Sequence, residues 1–164
     1  MKYLGILLLG APLVLAACGE SKFRTYDGPE VTAIVVHKAD RQMYLLHGNE
    51  VLENYQIALG GNPVGDKQIE GDGKTPEGTY FINRRNPRSA FYLSLGISYP
   101  NEKDRADAKA LGKQPGGDIF VHGQAPRKKA KGTDWTAGCI AVTNSEIEEV
   151  YSMVKVGTPI FIKP

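Results

Sequence analysis

Residues 118–123 and 134–140 read Asp-Ile-Phe-Val-His-Gly and Asp-Trp-Thr-Ala-Gly-Cys-Ile. The first stretch predicts a strand that ends at His122, and Cys139 opens the next apolar run, so two strand ends can face each other across a loop. A thiol attacks a carbonyl as its thiolate, whereas a free cysteine is mostly protonated at neutral pH. The pattern therefore predicts that Cys139 is a nucleophile and that His122 is its base.

Glycines next to both residues favour this interpretation. Gly138 removes side-chain bulk where a carbonyl oxygen would have to approach backbone N–H groups, and Gly123 follows the base. The alternative is structural, with Cys139 as a small buried hydrophobe and His122 as a polar residue that closes a strand. A metal site is not indicated, because no second Cys lies near Cys139 and the chain has no His-Glu-x-x-His run.

The amino terminus has the features of a secretory signal. A basic start, Met1-Lys2, precedes a Leu-rich segment from Tyr3 to Leu15 that is too short to span a membrane comfortably. The ending Leu-Ala-Ala-Cys18 resembles the lipobox of bacterial lipoproteins, in which the cysteine is lipidated and the signal is cut before it. We therefore expect a lipoprotein signal peptide at 1–17, followed at 18–29 by the lipidated Cys18 and a partly disordered tether. The alternative is an ordinary secreted protein with an incidental cysteine.

The rest of the chain, 30–164, has the length of one domain with a sizeable core. With Cys18 lipidated, Cys139 would be a lone thiol in a compartment that is usually oxidising, which marks it as reactive. The formal net charge is +2, and acidic and basic residues are interleaved. Strong nucleic-acid binding is therefore not expected.

Alternating and β-branched runs predict a mainly β fold with one packed C-terminal helix. The eight predicted strands are 31–36, 42–46, 51–59, 79–82, 91–95, 119–122, 140–142 and 159–162. The first three are expected to pair consecutively as antiparallel strands. Residues 102–111 predict a short surface helix, and 144–154 predict the packed helix, with Asn144 as its cap.

Residues 71–78 read Gly-Asp-Gly-Lys-Thr-Pro-Glu-Gly. Gly73-Lys74-Thr75 matches the tail of a phosphate-binding loop, but that motif requires Gly at position 68, which is Gln68, and a helix where a strand is predicted. A Gly-rich turn with Pro76 at its second position is favoured, and it could line a substrate groove.

Two basic clusters have two interpretations. Such runs are usually solvated, but either could instead attract an acidic substrate, the first as a flap over the active cleft. The first cluster comprises Arg127, Lys128, Lys129 and Lys131, and the second comprises Arg84, Arg85 and Arg88. Trp135, the single tryptophan, could either stack on substrate or fill the edge of the core.

Together, His122-Gly123, Thr136-x-Gly138-Cys139-Ile140 and the 71–78 stretch resemble the L,D-transpeptidase catalytic domain, also called the YkuD domain. The resemblance extends from about Val31 to Lys163. It implies a β-sandwich with a helix that acts on peptidoglycan stem peptides without a metal or organic cofactor. It also implies Cys139 as nucleophile, His122 as base, the Gly123 carbonyl as the group that orients the imidazole, and the Gly138 and Cys139 N–H groups as part of an oxyanion site.

The implied reaction is acyl transfer from the diaminopimelate carbonyl of a tetrapeptide, through a thioester, to an amine. Trp135, Thr136 and Ala137 are the candidate substrate-binding residues. One departure is Ala141, where many members carry Arg or Asn. It leaves open a peptidoglycan hydrolase, either a carboxypeptidase or an endopeptidase, and a non-catalytic wall-binding lipoprotein is a further alternative.

Localisation is predicted from the residue after the lipobox. Gly19, rather than Asp, resembles lipoproteins sent to the outer membrane of Gram-negative bacteria, with the domain facing the periplasm. In a Gram-positive source the protein would lie on the outer face of the cell membrane.

Overall fold

A computed structural model describes residues 21–124 and 134–164. The predicted signal peptide, Cys18 and the basic cluster from Arg127 to Lys131 lie outside the described residues. Within them the chain forms eight strands and two helices. Their bounds are β1 Ala33–His37, β2 Gln42–His47, β3 Glu50–Gln56, β4 Gly78–Asn86, β5 Ser94–Ile97, α1 Glu102–Ala110, β6 Phe120–His122, β7 Ile140–Ala141, α2 Asn144–Met153 and β8 Pro159–Lys163.

The strands lie in the order β3-β2-β1-β8-β4-β5-β6-β7, so the mainly β fold class is confirmed. Strands β1 to β3 pair consecutively and antiparallel, as predicted. Strand β8 returns from the end of the chain to pair parallel with β1 and antiparallel with β4. The register of β4 shifts between Ile82 and Arg84 as it passes from β8 to β5. Such a bulge bends a strand, and here it lies between the part of β4 that pairs with β8 and the part that pairs with β5.

The core lies between this sheet and α2. Burial alternates along β1 and β2, so that Ile34, Val36, Met43 and Leu45 point inward. Strand geometry produces this alternation because successive side chains point to opposite faces. From α2, the buried side chains Ile147, Val150, Tyr151 and Met153 complete the cluster. No helix in the described ranges is long and apolar enough to cross a bilayer.

The cap of α2 is Thr143, one residue before the predicted Asn144. The Thr143 hydroxyl accepts from the Glu146 N–H, and the Glu146 carboxylate accepts from the Thr143 N–H, which forms a capping box. Asn144 instead accepts the Gln124 N–H through its side-chain oxygen at 2.8 Å. The residue expected to cap the helix therefore ties the helix to the chain just after His122.

Strand β5 begins at Ser94 rather than at the predicted residue 91. Tyr92 has a φ of 75°, and the Leu93 N–H donates to the Phe91 carbonyl at 3.0 Å. Such a three-residue γ-turn interrupts an extended strand. The turn, residues 91–93, places the Phe91 ring against the His122 ring.

The described part of the expected tether, residues 21–29, lies against the domain. Lys22 donates to the carbonyls of Pro87 and Tyr92, and Arg24 pairs with Glu148 of α2. Tyr26 packs against the hydrophobic core. Two cationic side chains and an aromatic ring of this segment thus have specific partners on the domain, and its role as a tether stays a prediction.

Candidate active site

Parallel pairing of two short strands brings Cys139 and His122 together. Strand β6 pairs with β7 so that Val121 lies opposite Ile140 and His122 lies opposite Ala141. Cys139, immediately before β7, therefore meets the end of β6. Both residues line a cavity of about 410 Å³. Its other lining residues are Asn86, Ser89, Phe91, Ser94, Asp118 and Phe120.

The His122 imidazole has a defined tautomer. Its Nδ1 lies 2.6 Å from the Gly123 carbonyl oxygen, and a carbonyl only accepts, so Nδ1 carries the proton. The other nitrogen, Nε2, is left as a proton acceptor. Burial lowers the pKa of His122, while the Gly123 carbonyl partly opposes this by raising it. The imidazole is therefore neutral at pH 7 and has the tautomer that a general base needs.

Gly123 allows a close approach of the chain to α2. A Cβ at this position would lie 2.7 Å from the Asn144 side-chain oxygen and 2.8 Å from Cγ2 of Ile147. Both distances are shorter than real Cβ contacts. The glycine thus lets its own carbonyl turn back onto the imidazole while Asn144 holds the next N–H.

The Cys139 thiol is partly exposed at the cavity. It donates a long hydrogen bond of 3.5 Å to the Asp118 carbonyl. Burial raises the pKa of Cys139, and the Phe120 N–H opposes that rise. Because burial raises the pKa of Cys139 and lowers that of His122, the thiol is protonated and the imidazole neutral at pH 7.

Two aromatic rings pack on the imidazole. The Phe91 ring centroid lies 4.5 Å from that of His122, and the Trp135 ring lies 5.7 Å from it. Phe91 and Trp135 also contact each other at 6.1 Å. Trp135 therefore lies beside the predicted base, where substrate stacking stays a prediction. Phe91 was missed as a site residue because its apolar neighbours predicted a continuous strand.

The Thr136 hydroxyl makes two hydrogen bonds within the bend that precedes Cys139. It donates to the Cys139 carbonyl at 2.7 Å and accepts from the Gly138 N–H at 3.1 Å. The Gly138 N–H, predicted as an oxyanion donor, is thus already bonded. Within the described ranges the Cys139 N–H donates to no other group, so it is the donor of the pair that is available to an oxyanion.

Another cavity, of about 290 Å³, shares no lining residue with the first. It is lined by Lys67, Glu70, Gly71, Gly116, Gly117, Ile119 and Ala137. Ala137 is exposed there, and its predicted contact with substrate stays a prediction. Ala141 is buried, opposite His122 and bridged to Ala58.

An ion pair anchors the start of the cysteine segment. Arg41 Nη2 lies 2.8 Å from a carboxylate oxygen of Asp134, and the other oxygen accepts the Leu59 N–H at 2.9 Å. Burial raises the pKa of Asp134, but Arg41 and the Leu59 N–H outweigh it and hold that pKa below its ordinary value. The carboxylate stays charged and ties residue 134 to the turn between β1 and β2.

The 71–78 stretch packs against the segment that precedes Cys139. The prediction of a turn with Pro76 at its second position is wrong, because the turn lies at residues 70–71 and residues 73–77 are irregular. A Cβ on Gly60 would lie 2.1 Å from the Gly73 carbonyl oxygen and 3.1 Å from Gly138 Cα, and a Cβ on Gly138 would lie 2.6 Å from the Lys74 carbonyl oxygen. Three backbone segments thus pack without side chains between them. Buried Lys38 also fixes this region by donating to three acceptors: the carbonyls of Gly65 and Thr75 and the carboxylate of Glu77.

Gly60→Ala should therefore destabilise the protein by about 2–4 kcal/mol, because its Cβ would meet rigid backbone rather than a flexible side chain. Gly61→Ala is the matched control, since a Cβ there meets only the Asp134 carbonyl oxygen at 4.0 Å. It should change the free energy of unfolding by less than about 0.5 kcal/mol. Urea denaturation of both variants measures this, and equal midpoints would contradict the packing argument.

The second basic cluster does not form one patch. Arg84 pairs with Asp118 at 2.7 Å and lies over the Phe120 ring, beside the larger cavity. Arg85 instead donates to the carbonyls of Tyr151 and Val154 at the end of α2. In the part of the chain that the structure describes, no three His, Cys, Asp or Glu side chains cluster as metal ligands would.

Comparison with known proteins assigns the domain. The L,D-transpeptidase catalytic domain (YkuD) family model matches residues 31–162. YafK of Escherichia coli (strain K12) is 29% identical over 149 residues, covering 88% of this chain and 54% of YafK.

Solved structures agree. Pgp2 of Campylobacter jejuni, named as a helical cell shape determining protein, is 26% identical with a TM-score of 0.64, covering 88% of this chain and 52% of that one. An L,D-transpeptidase from Mycobacterium smegmatis has the same fold, with a TM-score of 0.55 at 16% identity, covering 82% and 59% of the two chains. The chain spans about half the length of YafK and Pgp2. By its match over residues 31–162, it belongs to the L,D-transpeptidase catalytic domain (YkuD) family.

Proposed function

We propose that the protein is a cysteine acyltransferase that acts on peptidoglycan stem peptides. The observation that carries this proposal is the pairing, in one cavity, of a partly exposed Cys139 thiol with a neutral His122 whose proton is fixed on Nδ1. Family membership adds the substrate class. No metal or organic cofactor is required.

In the first half-reaction, His122 Nε2 accepts the thiol proton as Cys139 attacks the diaminopimelate carbonyl of a tetrapeptide stem. The oxyanion accepts the Cys139 N–H. The imidazolium then gives its proton to the amine of the departing D-alanine, the C–N bond breaks and a thioester remains. In the second half-reaction, an acceptor amine attacks the thioester, Nε2 takes its proton, and the thiolate leaves and is reprotonated.

Hydrolysis is the second candidate. Water would replace the acceptor amine, and the product would be a tripeptide or a cleaved cross-link. The observation that favours it is Ala141, a buried apolar residue where many members of the family carry Arg or Asn. Arg84 pairs with the exposed Asp118, which lines the cavity, and so provides a cation for an acidic substrate.

A non-catalytic wall-binding lipoprotein is the third candidate. A binder has no need for a thiol and a tautomer-fixed imidazole in the same cavity, so the site favours an enzyme over a binder. Because Pgp2 is named as a cell shape determining protein, we also propose that this protein contributes to wall biogenesis and cell shape.

Product analysis separates these candidates. The full-length protein is incubated with disaccharide tetrapeptides and, separately, with cross-linked dimers, beside a Cys139→Ala control, and the products are weighed by mass spectrometry. New dimers or D-amino-acid exchange products that depend on Cys139 support transfer. Cys139-dependent monomers or tripeptides alone support hydrolysis, and unchanged substrates with folded protein support the binder.

We also propose that Cys18 is the lipid anchor of an exported protein, in the outer membrane and facing the periplasm. The signal-like segment before it supports this proposal. Cells fed an alkyne-labelled fatty acid should incorporate the label into the wild-type protein and not into Cys18→Ser. Equal labelling of the two proteins would contradict it.

The pH dependence of kcat/KM should have an acid limb below pH 6.5. Burial lowers the pKa of His122 below about 6.5, its ordinary value, so the base stays neutral until the pH falls through this lowered value. Asp118 and Cys139 are the titratable groups that share its cavity, and Cys139 stays protonated because burial raises its pKa. Stopped assays from pH 4.5 to pH 8 measure this limb. An acid limb centred above pH 6.5 would contradict the buried neutral imidazole.

A further inference from the structure

The amino-terminal segment of the described chain contacts the wall of the active site. We call residues 22–26 the strap. It runs across α2 and reaches the γ-turn at 91–93. Phe23 of the strap packs on Tyr151 of α2 with ring centroids 6.3 Å apart, and Tyr26 packs against the core. The strap therefore has a defined position on the domain.

The γ-turn has an unfavourable conformation. Tyr92 has a φ of 75°, which few residues with a bulky side chain adopt. A turn of this kind, closed by the Leu93 N–H on the Phe91 carbonyl, is rare and strained. Such backbone persists where surrounding contacts over-determine it. The strap supplies these contacts at both ends of Tyr92.

Lys22 holds the backbone end. Its ammonium donates to the Pro87 carbonyl at 2.6 Å and to the Tyr92 carbonyl at 3.2 Å. The same nitrogen lies 5.3 Å from the centroid of the Tyr92 ring, within cation–π range. One cation thus joins the two ends of the 87–92 loop.

Arg24 holds the side-chain end through Glu148. The guanidinium lies 2.9 Å from one carboxylate oxygen of Glu148, and the other oxygen accepts the Tyr92 hydroxyl at 2.5 Å. The Tyr92 hydroxyl lowers the pKa of Glu148, burial partly opposes this, and Arg24 lowers it further. The carboxylate therefore stays charged and links the strap to Tyr92.

The γ-turn also supports His122, the predicted base. The Phe91 ring packs on the His122 ring at 4.5 Å, and the Leu93 carbonyl accepts the Gly123 N–H at 3.2 Å. Gly123 is the residue whose carbonyl fixes the proton on Nδ1. A shift of the turn would therefore displace both the ring that covers the imidazole and the backbone that orients it.

We infer that Lys22 is a positioning residue, which holds the γ-turn so that Phe91 and Gly123 keep His122 buried and oriented. The effect of Lys22 on turnover rests on the proposed function, but its effect on the burial and orientation of the His122 ring does not. The residue acts through the turn, because it contacts the carbonyls of Pro87 and Tyr92 rather than the reacting groups.

Three variants of the full-length protein test this inference. Lys22→Met keeps the aliphatic stem but removes the donors, and Lys22→Arg keeps donors for both carbonyls. Lys155→Met is the matched control, because Lys155 makes an exposed ion pair of 2.9 Å with Glu30. The first readout is kcat and KM, and the second is the pH titration of Trp135 fluorescence.

Trp135 is the single tryptophan and lies 5.7 Å from the His122 ring, so protonation of His122 should quench its emission. His122→Gln should abolish this titration, which assigns it. In Lys22→Met we expect the midpoint to move up toward about 6.5, because a loosened turn admits water to the imidazole. We expect kcat to fall about tenfold with little change in KM. Lys22→Arg should restore both values, and Lys155→Met should change neither.

The inference is overturned if the titration midpoint of Lys22→Met matches that of Lys155→Met. If the wild-type protein shows no Cys139-dependent turnover, the proposed function fails, while the fluorescence titration still decides the position of His122. If turnover is present and Lys22→Met changes neither kcat nor the midpoint, the proposed function stands and the inference fails.

Discussion

Cys139→Ser should lower turnover at least about 1000-fold while the protein keeps its fold. The substitution replaces only sulphur by oxygen at a partly exposed position. An alcohol is far less acidic than a thiol, so a base that is matched to a protonated thiol ionises serine poorly. Burial lowers the pKa of His122, which makes the imidazole a weaker base and widens the difference in pKa between the base and the serine hydroxyl.

The measurement is kcat/KM on tetrapeptide stems, with unfolding followed in parallel. The free energy of unfolding should change by less than about 1 kcal/mol, because serine is nearly isosteric with cysteine and the thiol donates only a long hydrogen bond of 3.5 Å to the Asp118 carbonyl. Wild-type activity in Cys139→Ser or Cys139→Ala would sink the mechanism.

His122→Gln should lower turnover by about 100- to 10,000-fold, the usual contribution of a positioned general base. Glutamine can still donate from its amide to the Gly123 carbonyl, so we expect the local backbone to keep its position. It cannot accept a proton from Cys139. The effect should appear mainly in kcat, since binding of the stem peptide does not require the base.

His37→Gln is the matched control, because His37 lies on β1 and its ring packs against Tyr44 rather than in the cavity. It should leave kcat/KM within about twofold of the wild type, as for a substitution away from the site. The acid limb expected below pH 6.5 should persist in His37→Gln and vanish from the residual activity of His122→Gln. An acid limb in both variants would assign the titration to another group.

Local pattern was enough to predict much of the fold. The alternation that buries Ile34, Val36, Met43 and Leu45 is visible as apolar residues two apart, and the first three strands pair as expected. The parallel pairing of β8 with β1 joins opposite ends of the domain. No local pattern specifies this pairing, because it depends on how strands that are distant in the sequence assemble into one sheet.

The errors lie where a backbone conformation overrides side-chain pattern. Residues 91–95 have the composition of a strand, but Tyr92 adopts a positive φ, so the strand starts at Ser94. Such a turn usually shows as Gly or Asn, and here neither is present. The contacts of the strap were also not predicted, because the partners of Lys22 and Arg24 lie far away in the sequence and the polar composition of the strap carries no sign of them.

Sequence motifs also predicted the residues at the centre of the site but not their supports. Two short sequence motifs contain Cys139, His122 and the glycines next to them. Arg41, Lys38 and Phe91 are far from them in the sequence, and each acts through a contact that only the folded chain creates. Their partners, Asp134, Thr75 and His122, carry no local sign of these contacts.

If stem peptides pass through a thioester on Cys139, hydroxylamine should trap that intermediate. The full-length protein is incubated with a tetrapeptide stem and hydroxylamine, and the products are weighed by mass spectrometry. Hydroxylamine attacks a thioester and releases the peptide as a hydroxamate. We predict a tripeptide hydroxamate from the wild type and none from Cys139→Ala. Tripeptide acid alone from the wild type, or the same products from Cys139→Ala, would show that no thioester forms on Cys139.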